Sequence, residues 1–362
     1  MTSYDGWDRE YQENKQQYLE MFDRFMSQLN YENNEEFERS FAERVGRKYA
    51  VSVGSATDAL HFALLAHGVG AGDEVLVTDF SWISSSACVS MVGATPVFCD
   101  IDLDSYHMSL DSIKRMYTDQ TKAIVYVHLF GNMSDTSAIQ EFCKEKGILF
   151  IEDAAQSFGS SLNDVKAGTI GDCSVYSFNS NKVIAGINGG GVFLTDDESK
   201  AKLVKQIRRH GKDSDFEMLG FNSRMYVLNA EVINIRLQNA ERNQARRQEI
   251  ARRYSEAFKD LPVYFQAISN GVNHNYHKYT LRFENKDIRR TVKNALKASV
   301  HYEKPLSANT MYERINCKRD ICTNSKLVSD TILSLPIHAW LTDSEISTII
   351  DTVTNTLCQK ID

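Results

Sequence analysis

The sequence predicts an α/β fold: a large N-terminal domain around a mainly parallel sheet, followed by a smaller α+β domain. Three observations lead there. From residue 49 to about 195, short apolar runs alternate with helical stretches. Those runs are continuously apolar rather than alternating, as in strands covered on both faces. After Asn222 the pattern changes to a long, charged helical stretch. The 362 residues suit two domains at roughly 150 residues each. The boundary falls near residue 240, giving domains 1–240 and 241–362.

The first thirty residues are polar and read as helical material that packs on something else. Asn33 or Asn34 is placed to cap a helix through Glu35–Arg44, with Phe37, Phe41 and Val45 on one face. Tyr49–Val53 reads as a strand and Asp58–His67 as a helix. Glu74–Val77 is a strand, followed by a helix from Trp82 to Val92. Pro96–Cys99 is a strand, then a helix starts at Ser109. Ala123–Val127 is an apolar strand before a helix over Asp135–Lys144. Ile148–Ile151 is a strand ending in Glu152 and Asp153. Ser174–Phe178 and Gly191–Leu194 are two more strands. One helix is expected from Ala230 to about Phe258. Beyond it come a strand at His277–Phe283 and helices at Ile288–Ala298, Asp320–Ser329 and Thr342–Leu357.

Composition narrows the function. A net charge of −7 and a pI of about 5.8 argue against a general binder of phosphate backbones. No apolar run approaches the ~20 residues that span a bilayer, and the opening MTSYDGWDRE is no secretory signal. The seven cysteines are scattered, with no CxxC pair and no zinc spacing. Reduced thiols, a cytoplasmic location and no metal site are therefore expected. Four prolines and no flexible linker imply tightly joined domains.

Four local features carry chemistry together that none carries alone. Asp153 ends a buried strand, where a carboxylate can lie beneath a cofactor ring; alone, it reads more often as a helix cap. Lys182 follows the next strand in the turn Ser177-Phe178-Asn179-Ser180-Asn181-Lys182, with glycines at 186, 189, 190 and 191. A lysine there becomes a nucleophile if its amine is desolvated, although a single lysine is more often a surface charge. Gly54-Ser55-Ala56-Thr57-Asp58 opens a helix with small residues, offering N–H groups to a phosphate; the alternative is an ordinary capped helix. Trp82 sits where an aromatic can stack on a ring; alone, it reads more often as a core aromatic.

The runs GSATDAL, GVGAGDEVLV, GATPVFCDID, VHLFG, IEDAAQSFG, GDCSVYSFNSNK, INGGGVFLTDD, RRHG and GFNSRM resemble those of the DegT/DnrJ/StrS sugar aminotransferases, in their order and spacing. HYEKPLS and SLPIHAWLTDSEI extend the likeness to the C-terminal region. The resemblance implies a fold type I transferase dependent on pyridoxal 5′-phosphate (PLP). By it, Lys182 is the Schiff-base lysine and Asp153 partners the pyridine nitrogen. Gln156 meets the ring oxygen, and Trp82 stacks on the ring. Thr57, the backbone of Asp58 and Ser177 hold the phosphate. Asn222 reaches the phosphate in a neighbouring subunit, making a homodimer with shared sites, and Arg224 meets the donor's carboxylate across the same interface. His301 and Tyr302 contact the sugar substrate. The sequence departs from the family at Ser55-Ala56-Thr57, where SGT is usual, at VIAGINGGG and at MYVLNAEV.

The implied reaction moves the amino group of L-glutamate to a nucleotide-linked keto-6-deoxyhexose, in a lipopolysaccharide or O-antigen context. PLP-dependent sugar dehydratases resemble these enzymes but carry His where Lys182 stands. The seven-residue step from Lys182 to Gly189 resembles members acting at the sugar's C4, which leads to a dTDP-4-keto-6-deoxy sugar. Asn222-Ser223-Arg224 is instead similar to members acting at C3.

Overall fold

The computed structural model describes residues 6–28, 34–212, 215–315 and 317–358. Seven strands form the central sheet: β1 (Tyr49–Val53), β2 (Glu74–Thr78), β3 (Thr95–Cys99), β4 (Thr121–Val127), β5 (Leu149–Asp153), β8 (Cys173–Ser177) and β9 (Gly191–Thr195). Their order is β1-β9-β8-β5-β4-β2-β3. From β3 to β8 all neighbours are parallel, while β9 runs antiparallel to both β8 and β1. The strands are buried along most of their length, which accounts for their continuous apolar character. Two short strands, β6 (Ser161–Leu162) and β7 (Val165–Lys166), pair beside the sheet with β11 (Val272–Asn273).

Helices cover both faces. α2 (Glu35–Val45) buries Phe37, Phe41 and Val45 against Tyr176, Phe178 and Leu194. Asn34 precedes it but does not cap it: its Nδ2 donates instead to the Met225 carbonyl at 2.6 Å. Asn33, the other candidate cap, lies outside the described residues. α3 (Ala56–Ala66) and α4 (Ser84–Met91) pack with β2, β5 and β8 in the largest apolar cluster. α5 (Leu110–Met116) and α6 (Ser137–Lys146) follow as expected. α7 (Glu198–Ile207), which the sequence reading missed, is capped by Asp197 accepting from Ser199 N and Lys200 N.

The single long helix expected over 230–258 is two, α8 (Val227–Gln238) and α9 (Ala240–Phe258), interrupted at Asn239 with φ −102° and ψ 6°. The polar N-terminal segment forms α1 (Trp7–Gln28), which lies on α8 through Met21, Val232 and Ile235. An Arg236–Glu10 ion pair of 3.0 Å fastens the two.

A second apolar cluster is built on α9. Ile250, Ala251, Tyr254 and Phe258 pack on an antiparallel sheet of β10 (Val263–Phe265), β12 (Tyr279–Phe283) and β13 (Ile332–Leu335). α10 (Lys286–Leu296) and α13 (Asp343–Cys358) close it. α12 (Thr323–Thr331) leads into β13, which the sequence reading missed. One stretch of this C-terminal half returns to the central sheet, followed by α11 (Thr310–Arg314). Leu306 N donates to the Asp79 carbonyl at 2.8 Å, Ser307 N to Asp79 Oδ1 at 2.6 Å, and Tyr312 enters the main core. That clamp holds the preceding residues, His301 and Tyr302, beyond the strand ends.

Candidate active site

A cavity of about 490 Å³ opens past the carboxyl ends of β1, β2, β5 and β8, where ligands bind in open α/β sheets. Its lining includes Thr57, Trp82, Asp153, Gln156, Ser177, Lys182, His301 and Tyr302. Residues spread over some 250 positions of sequence thus meet in one place.

Asp153 and Lys182 define its floor. Asp153 is buried; its Oδ2 accepts from Ser85 Oγ at 3.0 Å and its Oδ1 from Ala155 N at 3.1 Å. Burial raises its pKa, against the pull of those donors and of the Lys182 charge. Lys182 leaves the turn after β8, where its N–H donates to the Asn179 carbonyl at 2.9 Å. Desolvation lowers the amine to about 8, with the Asp153 charge opposing. Its Nζ makes no hydrogen bond among the described residues, which leaves the amine free to react.

The rim opposite is the start of α3. Ser55 caps it, accepting from Asp58 N at 3.1 Å. Thr57 Oγ1 lies 2.7 Å from Ser84 Oγ. Gly191 is required here: a Cβ on it would come within 2.5 Å of Ala56 N. Ser177 lines the same wall, its Oγ accepting from Asn179 N at 3.3 Å. Asp58 is not part of the cavity lining, and its side chain accepts from Ser223 Oγ at 2.7 Å. Its N–H, expected to meet a phosphate, is engaged by Ser55, so that contact requires Ser55 to share it.

Trp82 is 59% exposed, its ring 6.2 Å from that of Tyr302. Gln156 is held at both ends, accepting from Phe130 N at 2.9 Å and donating to Tyr302 Oη at 3.1 Å. His301 Nδ1 pairs with Ser334 Oγ at 3.0 Å; burial first, then Lys278 and Lys182, lower it to about 4. Asn222 and Arg224 do not line this cavity and are exposed. Ser223 between them is buried, and its Oγ accepts from Gly54 N at 2.9 Å, which ties their turn to the α3 rim. Sequence reasoning missed Ser84, Ser85, Ser223, His277 and Lys278. Only Lys278 left a signal, as a charge entering an apolar strand.

The DegT/DnrJ/EryC1/StrS aminotransferase family model matches residues 9–354. The chain is 33% identical over 327 residues to the UDP-2-acetamido-2-deoxy-3-oxo-D-glucuronate aminotransferase of Pseudomonas aeruginosa, covering 88% of this chain and 89% of that protein. It is 36% identical over 230 residues to the GDP-perosamine synthase of Caulobacter vibrioides, covering 62% of each. The crystal structure of a DegT DnrJ EryC1 StrS aminotransferase from Brucella abortus superposes with a TM-score of 0.92 at 28% identity, over 99% of this chain and 100% of that one. The chain belongs to the DegT/DnrJ/EryC1/StrS aminotransferase family. It is a PLP-dependent sugar aminotransferase, and its cavity fits that cofactor: an unbonded lysine amine beside a part-open buried carboxylate, and a small-residue helix start facing both.

Proposed function

We propose that the chain moves the amino group of L-glutamate to a keto carbon of a nucleotide-linked hexose, with Lys182 and Asp153 carrying the chemistry. The observation behind this reading is their placement together on the floor of one cavity, beneath the α3 rim. The cofactor, when bound, supplies an electron-withdrawing ring that stabilises negative charge on the adjacent carbon. Asp153 keeps a proton on the ring nitrogen, and that positive charge answers the carboxylate which burial otherwise disfavours. Lys182, with its amine lowered to about 8, takes the proton from the donor's α-carbon and delivers it across the site. Thr57, the Asp58 backbone and Ser177 hold the phosphate with the positive end of α3. Trp82 covers the ring, and Gln156 meets its oxygen. His301 and Tyr302 border the space for the acceptor.

Asn222 and Arg224 serve a neighbouring copy in this reading. Both are exposed on a turn that Ser223 anchors to its own α3 rim. Asn222 then reaches the partner site's phosphate, and Arg224 offers its fork to the donor's carboxylate. The protein is on this account a cytoplasmic homodimer. Residues 1–240 supply the cofactor site, and 241–362 close it over the acceptor.

The choice of carbon divides two observations. The short step from Lys182 to Gly189 favours C4. The Asn222-Ser223-Arg224 run favours C3, as does the 3-oxo substrate named for the Pseudomonas relative. We therefore place C3 ahead of C4. The test is a panel of 3-keto and 4-keto nucleotide sugars, linked to dTDP, UDP and GDP, incubated with L-glutamate and read by mass spectrometry. Amination of 3-keto members is expected. Amination of 4-keto members alone reverses the choice, and amination of none refutes the sugar assignment.

A further inference from the structure

Lys278 stands in the cavity wall with no role in the chemistry above. It lies just before β12, beside His277, and its N–H donates to the Phe130 carbonyl at 3.3 Å. It lines both the main cavity and a smaller chamber of about 110 Å³ behind Lys182. Asn181, Lys182 and His277 line both as well, so the two spaces share a wall. The Lys278 ammonium makes no hydrogen bond or ion pair among the described residues.

The surrounding charges are also one-sided. Arg247, 8% exposed, lines the chamber and spends only Nη1, on the carbonyls of Tyr276 (3.0 Å) and Ile337 (2.9 Å). No carboxylate meets it among the described residues. Arg236 is neutralised by Glu10 at 3.0 Å. His277 and His301 are held neutral, mainly by burial and then by the same cations. Asp153 is the acid on the cavity floor, and Lys182 answers it. Burial together with the Arg247 and Lys182 charges lowers Lys278 to about 8. A cation enclosed without a counter-ion is costly. A lysine that merely filled space would lead its ammonium out to solvent; this one is only partly exposed and lines both spaces.

We propose that Lys278, backed by Arg247, binds a carboxylate of the substrate at Lys182, making it a specificity-determining residue of this active site. The proposal rests on the aminotransferase reading. Two molecules can bring the carboxylate: the amino donor, whose second acid group is left over once Arg224 takes the first, or an acceptor whose sugar ring bears an acid. The ammonium acts as a point charge in either case, and the confined geometry keeps the contact partly dry.

The test compares holoenzyme with Lys278→Met, which keeps length and removes charge, and with Lys278→Arg, which keeps charge. Each half-reaction is followed separately by the cofactor's absorbance. The donor arm uses L-glutamate and L-glutamine. The acceptor arm uses amino-sugar nucleotides with either a carboxylate or a hydroxymethyl group at C6. Lys278→Met is expected to raise the half-saturating concentration of the acidic member of one pair by about 10- to 100-fold, the size of a charge-assisted hydrogen bond. The neutral member changes little, and Lys278→Arg restores part of the loss. A collapse of the glutamate-to-glutamine preference identifies the donor as the source; a collapse of the acid-to-neutral sugar preference identifies the acceptor. Unchanged preferences in both arms overturn the proposal. If the methionine variant loses cofactor, Lys278→Gln is put to the same comparison, with the same result overturning it. Absence of turnover in the unaltered enzyme with every donor and acceptor strikes the reading underneath instead.

Discussion

Glu152 and Asp153 are adjacent on β5, both buried, and the strand's pleat sends them to opposite faces of the sheet. Glu152 accepts from His128 Nε2 at 2.9 Å, Gly168 N at 2.5 Å and Ile170 N at 2.7 Å. Its carboxylate is enclosed by fixed donors and pins the loop before β8. Asp153 has two donors, Ser85 and Ala155, and otherwise faces the cavity and Lys182. Burial is common to both and does not separate them. The difference lies in how much of each carboxylate the protein itself satisfies. An enclosed acid holds the fold together, whereas a part-open acid beside a cavity is poised for a ligand's positive charge.

The comparison can be broken first at its reactive end. Lys182→Ala should cut turnover by more than about 10³-fold while the fold persists. Borohydride reduction and peptide mapping of the unaltered enzyme should place the pyridoxyl label on Lys182, and a label on another lysine sinks the assignment. The same variant tests sharing between subunits. Mixed with an Asn222→Ala, Arg224→Ala double variant, it should regain activity, because one site of each heterodimer then collects no lesion. No recovery despite proven subunit exchange refutes the shared site.

Asp153→Asn should cost about 10²- to 10³-fold in turnover. Its stability should move the other way. The folded carboxyl is raised above its ordinary value, so the folded chain holds that proton more tightly than the unfolded chain does. The ionised group therefore subtracts stability above the unfolded pKa of about 4 and nothing below it. Without cofactor, the asparagine variant should be at least as stable as the native chain at pH 7, with the gap closing towards about pH 4. Urea midpoints across that range check the sign. Glu152→Gln should show the reverse pattern, losing about 1–3 kcal/mol of stability with unchanged turnover per folded molecule. If the two variants behave alike, the distinction between the faces fails. Ser85→Ala should have the smallest effect, about tenfold or less in turnover, by freeing Asp153 Oδ2 from one donor.

Most of the central sheet and part of the cavity lining were legible from local traces, whereas Gln156, His301 and Tyr302 entered only through the family resemblance. Buried strands leave apolar runs, and Asp153, Thr57 and Ser177 sit at the ends of such runs. What was missed depends on distant contacts. Ser85 is one of three consecutive serines in a helix, and only the fold turns it towards Asp153. Asn34 stands where a cap belongs, but the Met225 carbonyl from a distant turn competes for its side chain. The break at Asn239 is a change in one residue's backbone, and the flanking charged pattern runs through it undisturbed. The reversed direction of β9 was hidden because an apolar run carries no arrow.

That reversed strand also sets a schedule. β1 lies at the sheet's edge with β9 as its sole strand partner among the described residues, Tyr49 opposite Thr195 and Val53 opposite Gly191. About 140 residues must be translated between the two, which takes roughly 7–28 s at 5–20 residues per second. Throughout that interval the nascent chain carries β1 as an unpaired hydrophobic segment, with the α3 rim attached to it. The pocket for the cofactor is therefore among the last parts of the central sheet to be completed on the ribosome, and a pause in synthesis before residue 191 lengthens the exposure of its first strand.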